Sequence, residues 1–403
     1  MTLKKINISN ILFHLSSSLV AFYNKYRFFF ISIFFLSLFL VFLESFLMAV
    51  ESSIDMQWFP AKLFWNGINP YYEHIQNKTM FLAQKPNYSH LLYIVLYPLA
   101  ILDWEIVKVI WASGSIITFI LTLVIFNKSQ ISEPFLLFST FFLLWGTPLA
   151  NVISNGQITI YIMFFTSLAW YYKDKSFLIT TISLAFVFTK YSFGLPILMG
   201  FFLAGYYSQV TYALLINIIA VIIFCIKFNI KFLECLLMPF IVSGNHRYDG
   251  PIDIMSINYY LSQYGIIELN FSYILIPVIF ASFIFIIIFN KKIFNSDEII
   301  SLSIFLSLIT FFHLIYDHVM LLCGILFLKS YLKSSNLNFA FIFVIYIFLV
   351  FGTKVLYFLD IKFFSDYHNY SLYFALIYAI TFSSLVVIFV FQYVFGKILK
   401  NKT

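Results

Sequence analysis

Charge is what this chain has least of. Asp, Glu, Lys and Arg together make up 10% of its 403 residues, against 62% hydrophobic. A water-soluble domain needs a larger charged fraction, so the deficit excludes soluble globular enzymes and leaves a polytopic membrane protein. Cysteine is scarce too. Cys225, Cys235 and Cys323 stand at no ligand spacing, and as residues of or beside apolar runs they fit free buried thiols better than a disulfide or a metal site. The chain also lacks a Walker motif, a GxGxxG turn, HxxxH and HxD pairs and a carboxylate cluster. No nucleotide site, cofactor or metal is therefore expected. The formal net charge of +7 does not point to nucleic acid, because the cations are scattered through short turns. Nor does the N-terminus show a short apolar core with a small-residue cleavage site. Lys4, Lys5, Lys25 and Arg27 precede a run of membrane length, the pattern of a retained signal anchor.

What is abundant is hydrocarbon. Apolar runs at 27–49, 106–126, 134–150, 157–172, 177–190, 194–207, 210–228, 272–289, 299–315, 319–332, 339–358 and 372–395 predict about twelve crossings, several short of the ~20 residues a perpendicular helix needs. A shorter run, 89–102, decides the topology. If it lies along the interface instead of crossing, the Lys and Arg residues of both termini and of the turns at 127–133, 173–176, 290–298 and 329–333 all fall on the cytoplasmic side. If it crosses, the turns at 127–133, 173–176 and 290–298 face outward, against the rule. The first arrangement puts both termini inside and the loops 50–105, 229–271 and 359–371 outside. The expectation is a single all-α transmembrane domain over 1–403, with interfacial helices in its first external loop.

That topology gathers the polar interruptions on one face. Asp55 lies just past the first run; read alone it fits a solvated loop acid, and read with the rest it fits a general base at the membrane surface. Asn66 to Tyr71 is a turn cluster in which Gly67, Pro70 and Tyr71 fold the loop back, toward Tyr88 and His90. Asn155-Gly156-Gln157 sits at an expected helix start, where the amides suit sugar hydroxyls or phosphate oxygens and where Asn155 or Ser154 serves equally as an N-cap. Lys190 ends an apolar run on the external side, either snorkelling or facing a phosphate. His246-Arg247 lies in the second long loop. Arg247 is the only arginine outside the N-terminal segment and suits bidentate phosphate contact. Tyr316-Asp317-His318 falls between two apolar runs.

In Asp55, Gly67 with Pro70-Tyr71, Tyr88, Trp111, Gly156-Gln157, Lys190 with Pro196, and the late Tyr316-Asp317, the chain resembles membrane glycosyltransferases of the GT-C class, and more closely glycosyltransferase family 87. Two positions depart from the family pattern as it bears on this chain. Ser89-His90 stands where Pro-Pro is usual, and Tyr191 where Pro follows the lysine. The resemblance implies a GT-C-like helical bundle in the bacterial plasma membrane. It implies a polyprenyl-phosphate sugar as donor, a mannose-like hexose as the group moved, and a glycan or lipid-linked acceptor, with membrane lipids as surroundings. Asp55 would be the base. Substrate contacts would fall to Tyr88, His90, Asn155, Gln157, Lys190, Arg247, Tyr316 and Asp317. Two other classes share the topology. A polysaccharide polymerase or ligase leans on external arginines, of which Arg247 is the one here. A lipid-linked sugar flippase or transporter predicts repeat symmetry or mid-helix charges, and neither is visible.

Overall fold

The computed structural model describes residues 21–79, 81–129, 131–244, 257, 261, 272–328 and 367–400, and among these every regular element is a helix. In chain order they are α1 (Arg27–Ser52), α2 (Trp58–Trp65), α3 (Pro70–Asn77), α4 (His90–Val95), α5 (Tyr97–Ala100), α6 (Trp104–Lys128), α7 (Glu133–Trp145), α8 (Thr147–Ser154) and α9 (Thr159–Tyr172). Then come α10 (Phe177–Val187), α11 (Tyr191–Leu203), α12 (Tyr207–Phe228), α13 (Phe232–Gly244), α14 (Ser272–Phe289) and α15 (Ser296–Thr310). A 3-10 turn over Ile315–Met320, α16 (Leu321–Phe327) and α17 (Tyr367–Lys400) complete the series. The expected run 339–358, Arg247 with His246, and most of 245–271 lie outside the described residues.

Among the described residues, α1, α6 and α12 are long and apolar enough to cross a bilayer, and α7 with α8 makes a fourth if that bent pair is one span. Hydropathy predicts about twelve crossings; among the described residues helices of membrane length are fewer, and several of the apolar runs are broken internally. The run 134–150 bends by 63° at Gly146, which is extended, with Pro148 in the next helix's first turn. The runs 177–190 and 194–207 appear as α10 and α11, of 11 and 13 residues, each roughly 16–20 Å long at 1.5 Å per residue. The run 299–315 stops at Thr310. The segment after it, between two apolar runs, is an interior one: His313, Asp317 and His318 are all buried. Non-helical backbone inside a membrane protein is tolerated where protein surrounds it.

α15 is the inner helix of the bundle. Every residue from Glu298 to Thr310 is buried, and its start is fixed by a capping box between Asn295 and Glu298. Glycines admit its neighbours. A Cβ on Gly200 of α11 would lie 2.7 Å from the Ser303 Cβ, and one on Gly324 of α16 would lie 3.2 Å from the Phe305 ring. Such small-residue contacts are how helices pack closely where lipid is as apolar as leucine.

The segment between α1 and α6 forms a cap of four short helices. Its stitches are aromatic donors aimed at backbone carbonyls of the neighbouring short helices and turns. Trp58 Nε1 donates to the carbonyls of Leu99 and Leu102 at 3.0 and 3.2 Å, and Trp65 Nε1 to that of Tyr93 at 3.0 Å. The Tyr71 hydroxyl donates to the Tyr88 carbonyl at 2.9 Å. At six and four residues, α4 and α5 are too short to cross.

Polar residues divide between the two ends of the bundle. At the end where α1, α7 and α15 begin and α9 and α17 finish, Arg27 pairs with Glu133 at 2.7 Å, Lys173 with Asp297 at 2.8 Å, and Lys397 with Glu298. The other end, where α1, α8, α10 and α15 finish, holds Asp55, Lys190 and Asp317.

Gly200→Ala should lower the unfolding temperature in detergent by an amount corresponding to about 1–3 kcal/mol, because the added methyl must push α11 off α15. Gly396→Ala, where a Cβ meets nothing within 4 Å, should leave it unchanged or raise it.

Candidate functional site

The site is built at three places where a helix stops. The first is the end of α8. Gly156 has φ +71°, its N–H donates to the Ile153 carbonyl at 3.1 Å, and the Gln157 N–H donates to Val152 at 2.9 Å. This is a Schellman termination. Asn155-Gly156-Gln157 therefore closes a helix, whereas the sequence pattern suggested that it opens one. The carbonyl of Asn155, left without an intrahelical partner, accepts the Asp55 N–H at 3.0 Å. Gln157 Nε2 donates to Asp55 Oδ2. A Cβ on Gly156 would lie 2.4 Å from Ser53 Oγ and 3.3 Å from Met56 Cβ, so the Asp55 loop seats on this turn because the residue is glycine.

The second stop is the junction of α10 and α11. Lys190 is extended there, and its Nζ donates to Asp317 Oδ1 at 2.5 Å and to Thr159 Oγ1 at 2.9 Å. The third is the break after α15. Asp317 Oδ2 accepts from the Leu314 N–H at 3.4 Å and from His313 Nδ1 at 3.1 Å, and Thr159 donates to Oδ1. Behind His313, the Ser307 hydroxyl lies 3.1 Å from Nε2 and donates to the Ser192 carbonyl at 2.7 Å. Asp317 is thus enclosed by donors on every side, and its side chain is 3% exposed against 11% for Lys190. It holds Lys190 rather than facing open space.

These nodes share one electrostatic field. Burial raises the Asp55 carboxyl to about 6, and the nearby Asp317 charge pushes the same way. The Gln157 hydrogen bond and the charges of Lys190 and Lys85 pull it back down. Tyr88 and Tyr316 both lie within reach of the Asp55 and Asp317 charges. An acid with its proton poised near 6, beside a lysine with one ammonium N–H outside these two contacts, can accept a proton and face a phosphate in the same space.

The model of glycosyltransferase family 87 matches residues 88–292, just over half of the chain. The chain belongs to glycosyltransferase family 87. Neither a curated protein nor a solved structure gave a match. The family 87 match spans Tyr88, Trp111, Gly156-Gln157 and Lys190, while Asp55 precedes it and Asp317 follows it. The fold joins the ends to the middle.

Of the expected site residues, Asp55, Gln157, Lys190 and Asp317 come together, with Tyr88 and Tyr316 alongside and Asn155 contributing its backbone carbonyl. His90 does not join them. It is fully buried against Tyr71 and Phe224, with Nε2 3.3 Å from Cys235 Sγ, and burial pushes it down to about 3, so it carries no charge for a phosphate. Gly67 is left-handed at φ +80°, Asn69 caps α3 ahead of Pro70, and Tyr71 is fully buried, so the contacts of this turn are with the scaffold. Arg247 lies outside the described residues. Thr159 and His313 were not singled out from the sequence. Thr159 follows Gln157 by two and His313 precedes Asp317 by four, signals that carry meaning only once Gln157 and Asp317 are known to converge.

Lys190→Ala leaves the Asp317 carboxylate buried without its cation and should cost about 3–5 kcal/mol of stability. The double variant with Asp317→Ala should unfold above the Lys190→Ala single, a reversal of additivity that thermal unfolding in detergent can read.

Proposed function

We propose that this family 87 protein is an inverting glycosyltransferase that moves a mannose-like hexose from a polyprenyl-phosphate sugar to a hydroxyl of a glycan or lipid-linked acceptor. Asp55 is the general base. It takes the proton of the acceptor hydroxyl as that oxygen attacks the anomeric carbon from the side opposite the phosphate. The bond from the anomeric carbon to the phosphate oxygen breaks, and polyprenyl phosphate leaves with the electron pair. The observation that carries this reading is the placement of Asp55 by Gln157 beside Lys190, which Asp317 and Thr159 hold in one direction. Charge developing on the leaving phosphate needs a fixed cation, and preorganised donors in a dry site are worth most there. We give Arg247, a cation suited to bidentate phosphate contact, the role of a further partner for the leaving phosphate.

Orientation follows the cations. Arg27, Lys173 and Lys397 gather at the end of the bundle away from Asp55, which supports that end as cytoplasmic, with both termini inside. The site then faces the external side of a bacterial plasma membrane, under a catalytic loop spanning 50–105 and a second loop spanning 229–271. A sugar arriving on lipid needs no nucleotide site.

Asp55→Asn should reduce transfer from polyprenyl-phosphate hexose by roughly a hundred- to ten-thousand-fold while the protein stays in the membrane. Transfer requires the carboxylate, so kcat/KM in the wild-type protein should fall as pH drops through about 6. Stability runs the other way. Because folding raises this group's value from 3.8, its favourable contribution is present at low pH and lost as pH rises through about 6. At pH 8 the Asp55→Asn protein should therefore unfold at or above the wild-type temperature. Full activity in Asp55→Asn, or a flat profile between pH 5 and 7, overturns the assignment.

A further inference from the structure

A groove on the outside of the bundle takes no part in the Asp55 site. It lies between α4 of the cap and α12, holds about 150 Å³, and is lined by Leu91, Ile94, Ile216, Ile219, Ala220 and Ile223. Every lining side chain is aliphatic. Ile219 and Ile223 are 55% and 41% exposed on a helix of membrane length, so the groove opens to hydrocarbon rather than to water. An apolar space of about this volume takes in a benzene-sized group, which corresponds to a short stretch of one lipid chain.

The rim of the groove is cationic and aromatic. Lys227 stands one helical turn past Ile223 on the same face of α12. Its Nζ lies 4.3 Å from the Phe64 ring centroid and 5.2 Å from that of Trp65. Both rings lead back to the groove. Phe64 stacks on Phe224 at 4.2 Å, and Phe224 meets His90, the residue before Leu91, at 4.6 Å. Trp65 Nε1 donates to the carbonyl of Tyr93, the residue before Ile94, and its ring lies 4.4 Å from that of Tyr97. Trp65 and Tyr97 are both exposed, and exposed Trp and Tyr beside a lysine are the side chains that sit at the level of lipid headgroups. The elements around the rim, α2, α4, α5 and α12, contain no Asp or Glu and carry Lys62 and Lys227. Among the described residues no carboxylate pairs with Lys227. In the orientation proposed for the chain, Lys227 is also at the external end, where the positive-inside bias supplies no reason for a lysine.

A wall of hydrogen bonds separates the groove from Lys190. The Ser89 N–H donates to the Thr189 carbonyl at 2.9 Å, and Ser89 Oγ donates to Asn217 Oδ1 at 2.8 Å. Asn217 Nδ2 donates in turn to the Ala185 carbonyl at 3.1 Å. Ser89, Thr189 and Asn217 are all buried, so a chain lying in the groove stays outside the site. We infer that groove and rim bind an anionic phospholipid of the surrounding leaflet, with one acyl chain along Ile216 to Ile223 and the phosphate at Lys227. The lipid touches α4 and α12 together, and so fastens the cap to the bundle.

The test titrates the purified full chain, in a mild detergent, with dioctanoyl phosphatidylglycerol or dioctanoyl phosphatidylcholine and reads thermal unfolding. Phosphatidylglycerol should stabilise the wild-type protein at the lower concentration. Lys227→Gln should raise its half-saturating concentration about fivefold and leave that of phosphatidylcholine unchanged, since one lysine near an anionic headgroup is worth about that factor. Lys128→Gln, an exposed position at the other end of the bundle, should change neither. Ile219→Trp, which fills the groove, should weaken both lipids. Equal stabilisation by the two lipids, or a Lys227→Gln effect no larger than that of Lys128→Gln, overturns the inference. Should Ile219→Trp unfold early without lipid, the comparison of the two lysine variants decides. Tighter stabilisation by polyprenyl phosphate than by phosphatidylglycerol, lost in Lys227→Gln, would give the groove to the glycosyl carrier and overturn the phospholipid assignment. Sugar transfer is not read in any arm, so this result and the assignment of Asp55 as base fail separately.

Discussion

The bundle is arranged so that one buried ion pair can exist. Lys190 and Asp317 sit at two helix breaks, and Thr159, at the start of a third helix, bonds to both. An uncompensated charge in this setting costs several kcal/mol, and each break exposes backbone groups that lipid cannot satisfy. The pair answers both demands. Asp317 accepts from the Leu314 N–H in the break after α15, and Lys190 takes an extended conformation between α10 and α11 that leaves its ammonium pointing at the acid. Four short helices, α9, α10, α11 and α15, are tied into one wall.

Asp55 is placed by a different logic. A glycine turn and an amide hold it. The Schellman turn at Gly156 frees the Asn155 carbonyl for the Asp55 N–H and aims the next side chain, Gln157, at the carboxylate. An amide fixes geometry without neutralising charge, which is what lets burial lift the acid toward 6 while a salt-bridged acid would stay far below. The two carboxylates are of one chemical type and differ in environment because one is partnered by lysine and the other by glutamine.

Much of this was legible in the sequence, and the rest was hidden for physical reasons. Composition and run length were enough for an all-helical membrane protein, and cation placement separated the ends at which Arg27, Lys173 and Lys397 later proved to pair. Asp55, Gln157, Lys190 and Asp317 stand out because a polar residue at the edge of an apolar run is expensive. Helix ends were less readable. Hydropathy cannot tell a crossing from two short helices meeting at Lys190, since both halves are apolar, nor a helix start from a helix stop at Gly156, since the same residues serve either. His90 misled because a histidine beside tyrosines suggests chemistry, while its fate was decided by Phe224 and Cys235, more than a hundred residues away in the chain.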